Sequence, residues 1–257
     1  MRKNILVNTV THCLILAVAL SCCMVSGTAV AQKLTIATVM QVPLSTPDGM
    51  GLIDRITKER FARIGVDVDI QSIPNIDALE QANAGIYDGD IYRVAGTSET
   101  YPNLIQVPGN VNSFDFVAFS MTLTDKDLDI AGKGWESLTP YRVGIREGWV
   151  ETKKHVTEEN TAGVSSITSV PQMFMSLKRK KVDLIIYGRF MGHQMIKELN
   201  LKGVHIIEPP LSSKEMFLYI HKRHADLVPK LEQALADMKA DGTWQKFIDE
   251  TLSQYAE

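Results

Sequence analysis

Short apolar runs alternate with helical stripes along most of the chain. Apolar–polar alternation or short buried runs predict strands at residues 34–39, 66–70, 90–95, 104–107, 141–145, 182–186 and 204–207. A helix is predicted to open at Asp48 and to end at Gly65, and another to start at Ser169 with Pro171 in its first turn. Strands that alternate with helices indicate an α/β fold with a largely parallel sheet.

The C-terminal segment, residues 227–252, is predicted to be helical. Apolar positions over 227–238 fall at helical spacing, Asp241 and Gly242 end that helix, and Thr243 opens another that carries Trp244. Two strand–helix sets of similar size, followed by a helical tail, predict two lobes rather than one continuous sheet.

Residues 1–31 have the three parts of a secretory signal peptide. A basic start precedes an apolar run over 13–25, and Ala29 and Ala31 supply the small residues of a cleavage site. The run is shorter than the roughly 20 residues of a spanning helix. We therefore expect export to the periplasm, a mature chain that begins at Gln32, and no direct membrane insertion after cleavage. An acylated Cys22 at the start of a lipoprotein is the alternative.

Charge and cysteine content exclude several classes of protein. All three cysteines, at positions 13, 22 and 23, leave with the signal peptide, so disulfides, thiolate metal sites and cysteine nucleophiles are not expected. Without Arg2 and Lys3 the mature chain has 25 basic and 30 acidic residues, a net charge of about −5. A mildly acidic chain argues against nucleic-acid binding. We expect a soluble globular protein.

Four segments carry a resemblance to a known family. They are ALEQANAG at 78–85 followed by Asp90, YRVGIREG at 141–148, KKVDLII at 180–186 and LADMKADGTW at 235–244. Together they resemble the extracellular solute-binding proteins, family 3, of polar amino-acid ABC transporters. The last segment is the most specific of the four.

The resemblance implies a two-lobed (type II) periplasmic-binding-protein fold. Lobe 1 would comprise residues 32–112 and 213–257, and lobe 2 residues 113–212. Two strands would cross between the lobes near 112–114 and 214–216, and a ligand would sit in the cleft while the lobes close by a hinge motion.

The chain departs from the family at all three positions that hold an α-amino acid. Members carry an arginine in the first-lobe turn, but residues 96–102 contain none. Trp149 follows Gly148 where members have serine or threonine, and Gly188 stands at the position of an aspartate that binds the amino group. The resemblance therefore supports the fold and not an α-amino-acid ligand.

Arginine and aromatic residues at the family's contact positions are the candidate ligand groups. Arginine suits bidentate recognition of an anion, and a rigid indole suits stacking. Each residue has an alternative, structural role at the surface or in the core. The candidates are Arg93, Arg146, Trp149, Arg189, Tyr187 and Gln41.

Catalytic and metal signals are weak. Glu147 is the only acidic residue in the second-lobe turn, so a dehydratase-like activity, which a few relatives of this fold have, would depend on it; an ion pair with Arg146 is the alternative. His221 and His224 are too few ligands for a zinc site. We expect no enzyme activity, no metal and no cofactor.

The sequence thus predicts a monomeric binding protein for a small, anionic or aromatic solute. Its partner would be the membrane permease of an uptake transporter. A signalling receptor that reads the same ligand is the alternative partner, and no residue of the chain separates the two.

Overall fold

The structure is a computed structural model that describes residues 33–39, 42–73 and 75–255. The predicted signal peptide and Gln41 lie outside these residues. Residues 33–257 form one compact unit. No helix in the described ranges is both long enough and apolar enough to cross a membrane.

In the part of the chain that the structure describes, nine strands form the sheet. They are β1 Lys33–Thr38, β2 Asp67–Ser72, β3 Gly89–Val94, β4 Leu104–Gln106, β5 Asn112–Ser120, β6 Arg142–Arg146, β7 Gly163–Ile167, β8 Leu184–Gly188 and β9 His205–His221.

Helices cover the sheet. They are α1 Leu52–Ala62, α2 Asn75–Asn83, α3 Thr97–Thr100, α4 Ile130–Lys133, α5 Val150–His155, α6 Val170–Lys178, α7 Arg189–Glu198, α8 Val228–Ala240 and α9 Thr243–Leu252. Short 3-10 turns occupy Gly134–Leu138, Lys222–Leu227 and Ser253–Tyr255.

The strand order, β2-β1-β3-β9-β5-β8-β6-β7, divides the sheet into two parallel halves. Strands β1, β2 and β3 run parallel in one half, and β6, β7 and β8 run parallel in the other. Antiparallel β5 and β9 lie between the halves and pair with each other, with Asn112 opposite Met216 and Phe114 opposite Lys214. The two segments predicted as crossings are therefore neighbours, and the α/β fold predicted from the pattern is confirmed.

Separate hydrophobic cores lie on the two sides of the crossing strands. The first core has buried residues from the ranges 34–111 and 216–255. On the other side, two clusters of buried residues come from the range 116–211. Phe114 packs against all three clusters. A side chain of the crossing strand thus contacts both halves of the molecule.

The predicted helix start at Asp48 is wrong by four residues. Asp48 instead accepts hydrogen bonds from the Thr46 hydroxyl and the Met50 amide in a turn that precedes α1. The carboxylate of Asp54, at the third position of the helix, accepts the amide of the N-cap residue Gly51, which is the reciprocal half of a capping box. At α6 the prediction is confirmed, because the Ser169 hydroxyl accepts the Gln172 amide at 3.4 Å.

The region between β6 and α6 was not predicted in detail. It contains α5 and the edge strand β7, where the sequence had shown only a charged stretch. Strand β9 is also longer than predicted, since the expected strand at 204–207 and the expected crossing at 214–216 belong to one 17-residue element. Pairing with β5, β3 and β4 stabilises this length.

Candidate functional site

A cavity of about 360 Å³ lies where the two halves of the sheet meet. The end of β3 forms one wall, the turn after β6 with the start of α5 forms the other, and the crossing strands close the back. The lining residues are Tyr92, Arg93, Val94, Phe114, Phe116, Gly148, Trp149, Val150, Glu151, Lys214 and Met216. Most of this lining is aromatic or aliphatic.

The aromatic residues of the lining form one connected cluster. Phe114 contacts Phe116, with ring centroids 4.7 Å apart, and meets Trp149 edge to face at 5.6 Å. Tyr92 approaches the other side of Phe114 at 6.4 Å, and its hydroxyl donates to the Ser113 carbonyl. Since aromatic pairs favour offset and edge-to-face geometry, these contacts fix the ring positions.

Trp149 lines the cavity, whereas Tyr187 supports it from behind. The two rings stack with centroids 4.9 Å apart and planes within 6°. Tyr187 is only 8% exposed, also meets Phe174 edge to face, and is absent from the cavity lining. Burial raises the pKa of its hydroxyl to about 12. Of the two aromatic candidates, the structure therefore brings only Trp149 to the cleft.

Arg93 lines the cavity but is held by a neighbouring carboxylate. Its guanidinium donates two hydrogen bonds to Asp90, at 2.6 and 3.0 Å. The Asp90 side chain is fully buried. Burial raises the pKa of Asp90, and the contact with Arg93 opposes that rise. The charge of Arg93 is thus compensated by a residue of the same strand, β3.

The charge of Arg189 is compensated as well, and this residue does not belong to the cavity lining. Its guanidinium donates to Asp115 on β5 at 3.0 Å and to Glu208 on β9. Burial disfavours its charge, but the bonds to Glu208 and Asp115 outweigh this and raise its pKa. Arg189 therefore ties the start of α7 to both crossing strands.

Arg146 and Glu147 face a different cavity. This second cavity, of about 550 Å³, lies within the second half between β6, β7 and α5. Arg146 approaches the Ile167 carbonyl at 3.5 Å, and Glu147 accepts the Thr168 hydroxyl. Glu147, on which a dehydratase-like activity was expected to depend, is therefore not among the residues that line the cleft.

His221 and His224 join a polar network at the end of β9. The nitrogen Nε2 of His224 lies 2.7 Å from Asp88, and the Arg223 guanidinium also bonds Asp88. Among the described residues, no group of three or more histidine, cysteine or acidic side chains is placed to hold a metal ion.

Two charged residues of the cleft were missed by the sequence reasoning. Lys214 on β9 lies 2.9 Å from Glu151 at the start of α5, and Glu151 also accepts the Ser212 hydroxyl. Burial disfavours ionisation of Glu151, but these two partners outweigh it and lower its pKa. No local sequence signal links residues 63 positions apart. Phe114 and Phe116 lie two positions apart, so their side chains share one face of a strand, and this spacing could have predicted that both line the cleft.

Side chains fill the space beside Gly188. A Cβ atom at this position would lie 2.5 Å from Met191 Cε and 2.7 Å from Phe114 Cζ. The place where the resembling family carries an aspartate is thus taken by the aromatic cluster of the cleft. At Gly188 the chain therefore lacks both the aspartate of the resembling family and the space that such a side chain would need.

No protein-family model matches the chain. It is 24% identical over 125 residues to ABC transporter arginine-binding protein 1 of Escherichia coli K12, covering 48% of this chain and about half, 51%, of that protein. An ancestral arginine-binding protein bound to arginine superposes with a TM-score of 0.66 at 19% identity, covering 85% of this chain and 97% of the other. A histidine kinase sensor domain with similarity to periplasmic binding proteins gives 0.68 at 12% identity, covering 86% and 96%.

These likenesses define the class of fold. The chain has the two-lobed fold of solute-binding proteins, and it is similar to the solute-binding proteins of amino-acid ABC transporters. One of the proteins it resembles is bound to arginine, and another is the substrate-binding protein of an amino acid ABC transporter.

Proposed function

We propose that this protein is a periplasmic solute-binding protein that captures a small molecule between its lobes and delivers it to an ABC-type uptake permease. The observation that carries the proposal is the cavity between the end of β3 and the turn after β6, with the crossing strands behind it. Ligand sites in proteins are typically concave, largely apolar and located between domains.

Binding would be coupled to closure of the lobes. We assign residues 32–112 and 213–257 to lobe 1 and residues 113–212 to lobe 2. The buried cores support this assignment, because their residues change from one core to the other between 111 and 116 and between 211 and 216. Val94 and Val150 line opposite walls of the cavity and are 46% and 80% exposed. A ligand that removes both from water favours the closed arrangement, with β5 and β9 as the hinge.

The ligand that we propose is not a simple α-amino acid. An ammonium group would need a carboxylate near Gly188, where Phe114 and Met191 fill the space. A carboxylate would need a free cation, but Arg93 is engaged by Asp90. A buried charge without a partner costs several kcal/mol. We therefore expect standard amino acids to bind no tighter than about 1 mM.

Ligand sensing for a membrane receptor is the second candidate. The likeness to a histidine kinase sensor domain supports it. The two candidates share the cleft and differ in the membrane partner. Crosslinking of the liganded protein in its own cells, followed by mass spectrometry of the partner, separates them: a permease supports delivery and a kinase or chemoreceptor supports sensing.

A ligand screen tests the binding function itself. Thermal unfolding is measured with amino acids, organic acids and aromatic compounds, because a ligand that binds only the folded state raises the melting temperature. Small-angle scattering of the best compound then measures closure. We expect a raised melting temperature together with a smaller radius of gyration. If no compound of any class raises the melting temperature at about 1 mM, a small-molecule binding function is contradicted.

A further inference from the structure

The charged groups of the cleft are already paired inside the protein. Arg93 donates twice to Asp90, and Lys214 lies 2.9 Å from Glu151. Each cation that lines the cavity thus has its own carboxylate on a neighbouring residue. A charged ligand would have to share its partner with the ion of the same sign that is already bound there, or remain unpaired, and both outcomes are unfavourable in a cleft that closes.

Four aromatic residues of the lining are held in place by contacts with one another and with Tyr187. Trp149 stacks on Tyr187, and Phe114 is fixed between Phe116 and Tyr92 by the edge-to-face and tilted contacts given above. Rigid rings lose little conformational entropy when a ligand binds. They offer a second ring both apolar area and the geometry that aromatic pairs favour.

Part of the apolar surface that remains in water is located at the cleft. Val94 and Val150 are two of only four large hydrophobic residues that are strongly exposed among the described residues, and both line this cavity. They come from opposite walls, so a single apolar ligand can cover both. This placement indicates that the body of the ligand is apolar.

We propose, building on the solute-binding function above, that the cleft takes an uncharged aromatic compound of one or two rings. The ring packs against Trp149 and Phe114 and covers Val94 and Val150. The Arg93–Asp90 and Lys214–Glu151 pairs remain intact and exclude the carboxylate and ammonium forms of the same ring. Because carboxylates already neutralise the two cations of the lining, the cleft favours neutral compounds over charged ones.

Matched pairs of probes test the charge selection. Calorimetric titrations compare indole with indole-3-acetate, and 4-methylphenol with 4-hydroxyphenylacetate, because each pair shares a ring and differs in a carboxylate. Tryptophan and tyrosine add the zwitterion. We expect the neutral member of each pair to bind at least about tenfold tighter than its charged partners.

The outcomes separate this inference from the function on which it rests. If the carboxylates or amino acids bind as tightly as the neutral probes, or tighter, the inference is overturned while the solute-binding function stands. If neither kind of probe binds and the wider screen also finds no ligand, the solute-binding function fails with it. If the wider screen finds only charged ligands, the inference alone fails.

Variants then locate the neutral probe. Val150→Asn should weaken indole binding by about threefold or more with little effect on folding, because this side chain is 80% exposed. Ile86→Asn, at an exposed position that is not part of the cavity lining, is its control. Trp149→Leu should weaken binding at least about tenfold, whereas Trp135→Leu, outside the lining, should leave it unchanged. Unchanged affinity in both Val150→Asn and Trp149→Leu would overturn the placement.

Discussion

Arg93 binds Asp90 through two hydrogen bonds, from Nε to Oδ1 at 2.6 Å and from Nη2 to Oδ2 at 3.0 Å. The carboxylate is fully buried, and the arginine is its charge partner at the edge of the cleft. The sequence had suggested Arg93 as a candidate ligand group. The pair gives Arg93 a structural role as well, since its loss leaves a buried carboxylate.

Arg93→Ala should therefore lower the free energy of unfolding by about 3 kcal/mol at neutral pH. Urea denaturation of the variant beside wild type measures this. Arg142→Ala, which breaks the more exposed pair with Asp183, is the control and should cost less than about 1 kcal/mol. An equally small loss in Arg93→Ala would contradict the structural role.

The cost of Arg93→Ala should also depend on pH. Burial holds the pKa of Asp90 above its ordinary 3.8. As pH falls, the folded state therefore takes up a proton at a higher pH than the unfolded state does. The stability that follows from this is present below 3.8 and is lost as pH rises through the folded-state pKa. Removal of the arginine raises that pKa further, and the difference between variant and wild type should shrink from about pH 7 to about pH 5. A constant difference would be evidence against a buried, unpaired Asp90.

Gly188→Ala should destabilise the protein by about 1–3 kcal/mol, because the added Cβ would overlap Phe114 and Met191. Combination with Phe114→Leu, which removes ring atoms from that place, should cost less than the sum of the two single changes. Gly188→Asp should likewise fail to create amino-acid binding. Chemical denaturation measures the stability costs, and strictly additive costs would contradict the overlap. Calorimetry with arginine measures binding to the Gly188→Asp variant.

The C-terminal turn forms a contact with the other half of the molecule. The Tyr255 hydroxyl donates to Gln194 Oε1 on α7 at 2.7 Å, and Phe190 of the same helix packs against the first core. Tyr255→Phe should cost about 1 kcal/mol of unfolding free energy. Addition of Gln194→Leu should then cost little more, since the bond is already lost. Fully additive costs in a double-mutant cycle would show that the bond contributes nothing.

His193 should make stability fall on the acidic side of neutrality. Burial, together with the positive charge of Arg189, lowers its pKa below 6.5, while Glu208 acts in the opposite direction. The unfolded state therefore binds a proton first as pH falls, and stability present above pH 6.5 is lost as pH falls toward the folded-state pKa.

His193→Gln should reduce this loss between about pH 7.5 and about pH 5.5, as measured by urea denaturation at each pH. His205→Gln, at an exposed histidine, serves as the control. An unaltered pH profile in His193→Gln would contradict the assignment.

The sequence alone determined the class of fold. Hydrophobic periodicity places the starts of seven of the nine described strands within two residues, because burial of one face requires the same spacing wherever an element lies. Strand β7 and most of β5 were not predicted from the pattern. The two crossing segments were also found, since the family resemblance locates them at 112–114 and 214–216 and the structure pairs them there. Local errors arose where a turn competed with a helix start, as at Asp48.

Only the tertiary structure decided which candidates reach the cleft. Arg93 and Trp149 line it, but Arg146 faces a second cavity and Arg189 binds Asp115 and Glu208. In the sequence, the three arginines were equivalent candidates. An arginine is available to a ligand only if no carboxylate is nearer, and the nearest carboxylate can come from any part of the chain.

The character of the cleft was likewise a property of the assembled molecule. Lys214 and Glu151 are 63 positions apart in the sequence, and Phe114 reaches the space beside Gly188 only because β5 pairs with β8. Periodicity records whether a side chain is buried, and it carries no information on which distant side chain compensates its charge or fills its space. The chain pattern therefore determined the two-lobed scaffold, and long-range packing determined what that scaffold can hold.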